Sequence, residues 1–342
     1  MQPTGKNKYG RLFGQALFVI ALLGLGFLIG FFVYGGRGDP KNLSIRKHGA
    51  ALSKESLVNP LLECADIENI SNQMAKQIKI ELEGYIKREK NVGKISTAAV
   101  YFRDLNNGPW VGINEKKEFS PGSLLKVPFM MSIFKMAEQD PSLLAKSLVY
   151  DGESENIEQN YPPPLKLEKG QTYSVNDLVE RMVAYSDNDA ILALTQTIDM
   201  GAVRDTYTEL GIDPPTRDDY SIPVKTYASF FRILFNSTYL SISMSERALQ
   251  VLSKSAWTLG LRAGVPDNII VVHKFGERFE VDKSNEQLHD CGIVYYPGLP
   301  YVLCVMVQGP EFDAMANFIK GVSELVYNSV NQGKPSTMLL EN

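Results

Sequence analysis

The sequence predicts an α/β fold of the α+β kind: one antiparallel sheet of five strands, terminal helices on one face, and an inserted helical block on the other. Three observations carry this. Strand-like apolar runs occur in two groups, near residues 94–114 and 268–309, separated by a long stretch of helical periodicity. An amphipathic pattern precedes the first group and another follows the second. Segments from the two ends of such a chain pair into one sheet, and the block between them covers a face.

Ahead of this domain, Phe13–Tyr34 reads "FGQALFVIALLGLGFLIGFFVY", with Gln15 as its one polar side chain of weight. That length predicts a transmembrane helix that places the chain in a lipid bilayer through residues 13–34, and no small-x-small cleavage site marks a removable signal. Lys6, Lys8 and Arg11 precede the span and Arg37, Lys41, Arg46 and Lys47 follow it, so flanking charge does not set its direction. Residues 1–12 form a short basic tail, 35–65 a juxtamembrane linker, 66–332 the globular domain and 333–342 a closing tail.

Within the domain, "IENISNQMAKQIKIELEGYIKREK" has the spacing of an amphipathic helix over 67–90. "KISTAAVYFRDLNNGPWVGIN" alternates about a turn at "NNG" and reads as a hairpin. Residues 123–261 are helical in pattern, interrupted at "NYPPPLKLEKG" and "GIDPPTRDDYSIP". "NIIVVHKFGERF", "HDCGIVYYP" and "YVLCVMVQG" supply three more strands, with a tight turn at "PGLP". "EFDAMANFIKGVSELVYNSV" supplies the last helix.

The chain has 342 residues and a net charge of −4, which suits a sizeable core with a mildly acidic surface and gives no sign of nucleic-acid binding. His48, His273 and His289 have no partners at metal-ligand spacing, so neither a metal nor another cofactor is expected. Cys64, Cys291 and Cys304 allow one disulfide with a thiol left over, or three thiols. We expect buried thiols at Cys291 and Cys304, because each lies in an apolar strand-like run. Oligomeric state is not legible.

Ser-x-x-Lys occurs three times, at Ser44/Lys47, Ser123/Lys126 and Ser132/Lys135. Residues i and i+3 share a helix face, so each pair can touch. Only Ser123, after Pro121-Gly122, stands at a helix start with free N–H groups ahead of it. There a serine can attack a carbonyl with a lysine as base, provided burial lowers the lysine's pKa. A plain N-cap beside a snorkelling lysine is the structural alternative. "YSDNDA" sets Ser186, Asp187 and Asn188 at another helix head, where a cap is the plain reading. "HKFGERF" sets Lys274 and Gly276 in a strand, where a charged edge is.

Ser-x-x-Lys, Ser-Asp-Asn and Lys-x-Gly in this order, with "LRAGVP" before the last, resemble the class A β-lactamases and the wider penicillin-recognising serine hydrolases over about residues 67–330. The resemblance implies Ser123 as acylated nucleophile, Lys126 as its proton acceptor, and Ser186 as proton relay to the leaving nitrogen. It implies Asn188 as ligand of the acylamido group, Lys274 as a source of positive potential, and the N–H groups of Ser123 and Glu277 as oxyanion hole beside Gly276. Asp187 is then structural, and Arg262 is either a carboxylate ligand or a structural ion pair. The substrate implied is a β-lactam or a peptidoglycan stem peptide, acted on outside the cytoplasmic membrane from a single-pass anchor.

Two departures stand out. Phe275 replaces the family's hydroxyl residue between Lys and Gly, which puts recognition of a penicillin carboxylate in question and makes Phe275 a candidate substrate contact. The loop with Glu-x-x-Leu-Asn, which holds the deacylating water, is absent, and Asp218 and Asp219 are the nearby carboxylates. Slow deacylation follows. An idle peptidoglycan- or protein-binding module and an esterase with an acyl pocket around Phe275 remain open.

Overall fold

The computed structural model describes residues 56–59, 71–152, 158–215, 220–279 and 285–332. The predicted span at 13–34, most of the linker, Cys64, the pair Ser44/Lys47, Asp218, Asp219 and the tail from 333 lie outside the described residues.

Helix α1 (Asn72–Asn91) begins where the Ser71 hydroxyl accepts from the Met74 N–H and buries Ala75, Ile78, Leu82 and Ile86, one stripe at helical spacing. The hairpin β1 (Thr97–Asp104) and β2 (Trp110–Ile113) follows, then β3 (Glu118–Phe119). The insert comprises α2 (Lys126–Gln139), β4 (Ser147–Val149), β5 (Thr172–Ser174), α3 (Val175–Ala184), α4 (Asn188–Thr195), α5 (Met200–Glu209), β6 (Ile222–Pro223), α6 (Val224–Phe235), α7 (Ile242–Ser253) and α8 (Gly260–Ala263). Strands β7 (Val271–Arg278), β8 (Glu286–Val294) and β9 (Tyr301–Gly309) and helix α9 (Phe312–Gln332) complete the domain.

The five-stranded sheet has the order β2-β1-β9-β8-β7, antiparallel throughout, so strands from the two ends of the domain meet at β1–β9. Side-chain alternation sorts the core into two layers. Ala98, Val100 and Phe102 of β1 and Leu303, Val305 and Val307 of β9 face α1 and α9. Ala99, Tyr101, Val302 and Met306 face the helical insert. The layers match the expectation, with one refinement: the end of the insert, Trp257 and Leu261, crosses over and packs with α9 on the terminal-helix face. The two short ladders β3–β6 and β4–β5 are additions.

One expectation is corrected. Cys291 and Cys304 stand opposite each other in the β8–β9 register with Cα atoms 3.9 Å apart, and they form a disulfide. Both are fully buried, as expected, but the facing strands bring the two sulfurs together, which neither strand discloses alone.

Candidate active site

Strand β7 is an edge strand, and its open edge meets the turn that carries Ser123. That turn is a 3-10 segment, Gly122–Leu125, running directly into α2. Two glycines permit the approach. Gly122 adopts φ +53°, and a Cβ there would strike the Glu277 carbonyl oxygen. At Gly276, a Cβ would lie 2.5 Å from the Pro121 carbonyl oxygen and 2.9 Å from the Leu124 nitrogen. The backbones of Glu277 and the Ser123 turn therefore lie side by side.

A second turn approaches from the insert. Between α3 and α4, Ser186 takes the left-handed conformation at φ +56°, a strain of about 1–2 kcal/mol for a residue with a Cβ. Asp187 caps α4, its carboxylate accepting from the N–H groups of Asp189 (2.9 Å) and Ala190 (3.3 Å). This geometry turns Ser186 and Asn188 onto Lys126. The Lys126 amine donates to the Ser186 carbonyl at 2.8 Å, to Asn188 Oδ1 at 2.7 Å and to Ser186 Oγ at 3.4 Å. From the other side, the Lys274 amine donates to Ser186 Oγ at 2.9 Å and to the Phe275 carbonyl at 2.9 Å. Two amines from distant elements thus converge on one serine hydroxyl.

Burial controls the charges. Lys126 is 3% exposed, and desolvation lowers its pKa from 10.5 to about 7 against the opposing pull of Asp187 and Glu277. Lys274, fully buried, is held well below the ordinary lysine range by desolvation and then by Lys126. Burial raises Glu277 to about 7, although the N–H groups of Tyr161 and Asn160 and both lysines favour its ionised form.

A cleft of about 480 Å³ opens over this cluster, lined by Ser123, Lys126, Asn188, Glu277, Arg278 and Glu158 among others. Of the residues singled out in the sequence, Ser123, Lys126, Asn188 and Glu277 face the cleft. Ser186 and Lys274 lie buried behind it, and Gly276 packs under the Ser123 turn. Among the described residues, those that line the cleft do not include Phe275. Its ring is 3% exposed, stacks on Trp257 at 4.7 Å, and lies beneath the Lys274 amine, 4.1 Å from the ring centroid. Arg262 donates to the carbonyls of Val265, Pro266 and Asp267 and pairs with the Asp267 carboxylate at 3.1 Å, which is the structural reading. Ser132 lies mid-helix and donates to the Pro128 carbonyl.

Sequence reasoning missed Glu158, Gln159, Ile191 on α4, Arg278 and Phe279, all of which line the cleft. The prolines after Tyr161 mark extended backbone but carry no signal of the surface that backbone crosses.

The chain matches the model of the β-lactamase enzyme family over residues 79–330, most of its length. The chain belongs to the β-lactamase enzyme family. Solved structures with the same fold include an acyl-enzyme complex of a PBP-A variant with penicillin G, with a TM-score of 0.62, 20% identity, and coverage of 75% of this chain and 97% of that one. The TLA-3 extended-spectrum β-lactamase has a TM-score of 0.65 at 18% identity, covering 75% and 99%. A β-lactamase from Chitinophaga pinensis has a TM-score of 0.63 at 16% identity, covering 75% and 100%. No curated protein matches the chain. As a β-lactamase-family domain it keeps the family's three motifs around one cleft, with Phe275 outside its lining.

Proposed function

We propose that this protein is a membrane-anchored serine hydrolase that forms an acyl-enzyme at Ser123 from amides of the β-lactam or peptidoglycan stem-peptide kind and releases it slowly. The observation that carries the reading is Lys126: a buried amine, lowered to about 7, one helical turn from a part-exposed serine at the mouth of a cleft. A neutral amine there accepts the Ser123 proton as Oγ bonds to the carbonyl carbon. Ser186, within reach of both amines, passes a proton to the leaving nitrogen, and Lys274 donates to its hydroxyl. The adjacent N–H groups of Ser123 and Glu277 hold the oxyanion, and Asn188 receives the acyl amide.

Slow release is supported by the carboxylates at hand. Among the described residues, those lining the cleft are Glu158 and Glu277, and Glu277 is engaged by the Tyr161 N–H. A location outside the cytoplasmic membrane is supported by the buried Cys291–Cys304 disulfide, since such bonds persist in oxidising compartments.

Full-length protein incubated with an uncharged acyl thioester tests the proposal by intact mass. We expect a Ser123 adduct that outlasts many acylation half-times, absent from Ser123→Ala, in protein that sediments with membranes until residues 1–35 are removed. Rapid turnover contradicts slow release, an adduct on Ser123→Ala contradicts the nucleophile, and sedimentation without residues 1–35 contradicts the anchor.

A further inference from the structure

Phe275 stands where the family motif carries a hydroxyl, and what its ring supports is the segment Glu158–Tyr161. The Tyr161 ring sits edge-on to Trp257, Phe275 and Phe312, with centroids at 5.5, 6.1 and 6.4 Å. Its hydroxyl donates to Asp313 Oδ1 at 3.3 Å. Its N–H donates to the Glu277 carboxylate at 3.3–3.4 Å. Two residues earlier, Gln159 Nε2 donates to the Ser186 carbonyl at 3.3 Å. The segment thus rests on Ser186 and Phe275, the two residues that hold the Lys274 amine, and Lys274 has no exposed surface.

We propose that Glu158–Tyr161, seated on Phe275 and Glu277, makes the cleft select acyl donors whose leaving group carries no free carboxylate, such as an internal peptide amide. This deepens the Ser123 reading and rests on it. A carboxylate beside the scissile nitrogen needs a cation or a hydroxyl to receive it. Here the Lys274 amine has no exposed surface and lies 4.1 Å over the Phe275 ring, the motif's hydroxyl is replaced by that buried ring, and the carboxyls of Glu158 and Glu277 line the cleft wall. Like charges at such a site oppose binding. Arg278 also lines the cleft, and its Nη1 donates to Ser120 Oγ at 2.9 Å, so its guanidinium already has a partner there. An internal amide places a continuing neutral chain against this wall instead of an anion.

The test uses full-length protein and two thioesters of one acyl group, with thioglycolate or neutral thioglycolamide as leaving group. In each, Ser123 Oγ bonds to the acyl carbon, the C–S bond breaks, and the serine proton ends on the departing sulfur. Second-order acylation rates are read by intact mass. We expect the neutral donor to be faster by about tenfold or more, and the ratio to fall toward one in Tyr161→Ala and in Glu277→Gln. Because each ratio is taken within one protein, loss of folded material cancels. A wild-type preference for the carboxylate donor, or a ratio unmoved in both variants, overturns the inference while leaving Ser123 as nucleophile. A carboxylate preference abolished by Arg278→Ala overturns it in favour of Arg278 as the anion receptor. If neither donor acylates Ser123, the nucleophile reading falls and this inference with it.

Discussion

Asp187 separates capping from electrostatics at a single residue. Its carboxylate caps α4 and also opposes the burial that lowers Lys126. Asn caps a helix as well as Asp does, so Asp187→Asn removes the charge and keeps the cap. With less negative potential nearby, the Lys126 amine becomes still easier to deprotonate. Acylation rises with pH as that amine turns neutral, so its midpoint in Asp187→Asn moves to lower pH at nearly unchanged thermal stability. A midpoint moving upward would contradict this. The same neighbourhood marks the limit of residue-level reading. Ser123, Lys126, Ser186, Asn188 and Lys274 were legible as an ordered set of three motifs that resembles a known family, while each motif taken alone reads as well as a helix cap or an edge charge. Phe275 was misplaced, because the face a strand residue takes depends on register, and register belongs to the pairing with β8.

At the scale of elements, the site is an edge strand laid against a helix-opening turn, and glycine decides the distance. Gly276→Ala adds a methyl group 2.5 Å from the Pro121 carbonyl, where backbone must yield. Destabilisation of about 1–3 kcal/mol is expected, seen as a lower thermal midpoint, and acylation falls because the Ser123 turn shifts. Unchanged acylation would show that the strand does not set the turn's position. The five strands were legible as apolar runs bounded by turn residues, and the terminal helices because period 3.6 persists along them. The ladders β3–β6 and β4–β5 have two or three residues per strand and display no period. The disulfide escaped for a related reason: Cys291 and Cys304 become neighbours only through the register of β8 and β9.

For the molecule as a whole, a sheet built from both ends of the domain fixes β7, while the insert brings α2, the Ser186 turn and the Glu158–Tyr161 segment to its open edge. The general architecture was readable because burial patterns report it. Where the proline-rich segment after α2 comes to rest was not, since that depends on an aromatic socket assembled from Trp257, Phe275 and Phe312, three separate parts of the chain. All of this serves one chemical condition, an amine kept uncharged beside Ser123 near neutral pH by burial, against the opposing pull of Asp187 and Glu277. The most direct test is the pH dependence of Ser123 acylation by an uncharged thioester, in the wild type and in Lys126→Ala. The account predicts a rate that climbs with a midpoint near 7, and a loss of about 10²–10⁴-fold together with that limb in Lys126→Ala. A rate flat across that range, or a Lys126→Ala variant acylated as fast as the wild type, would contradict it.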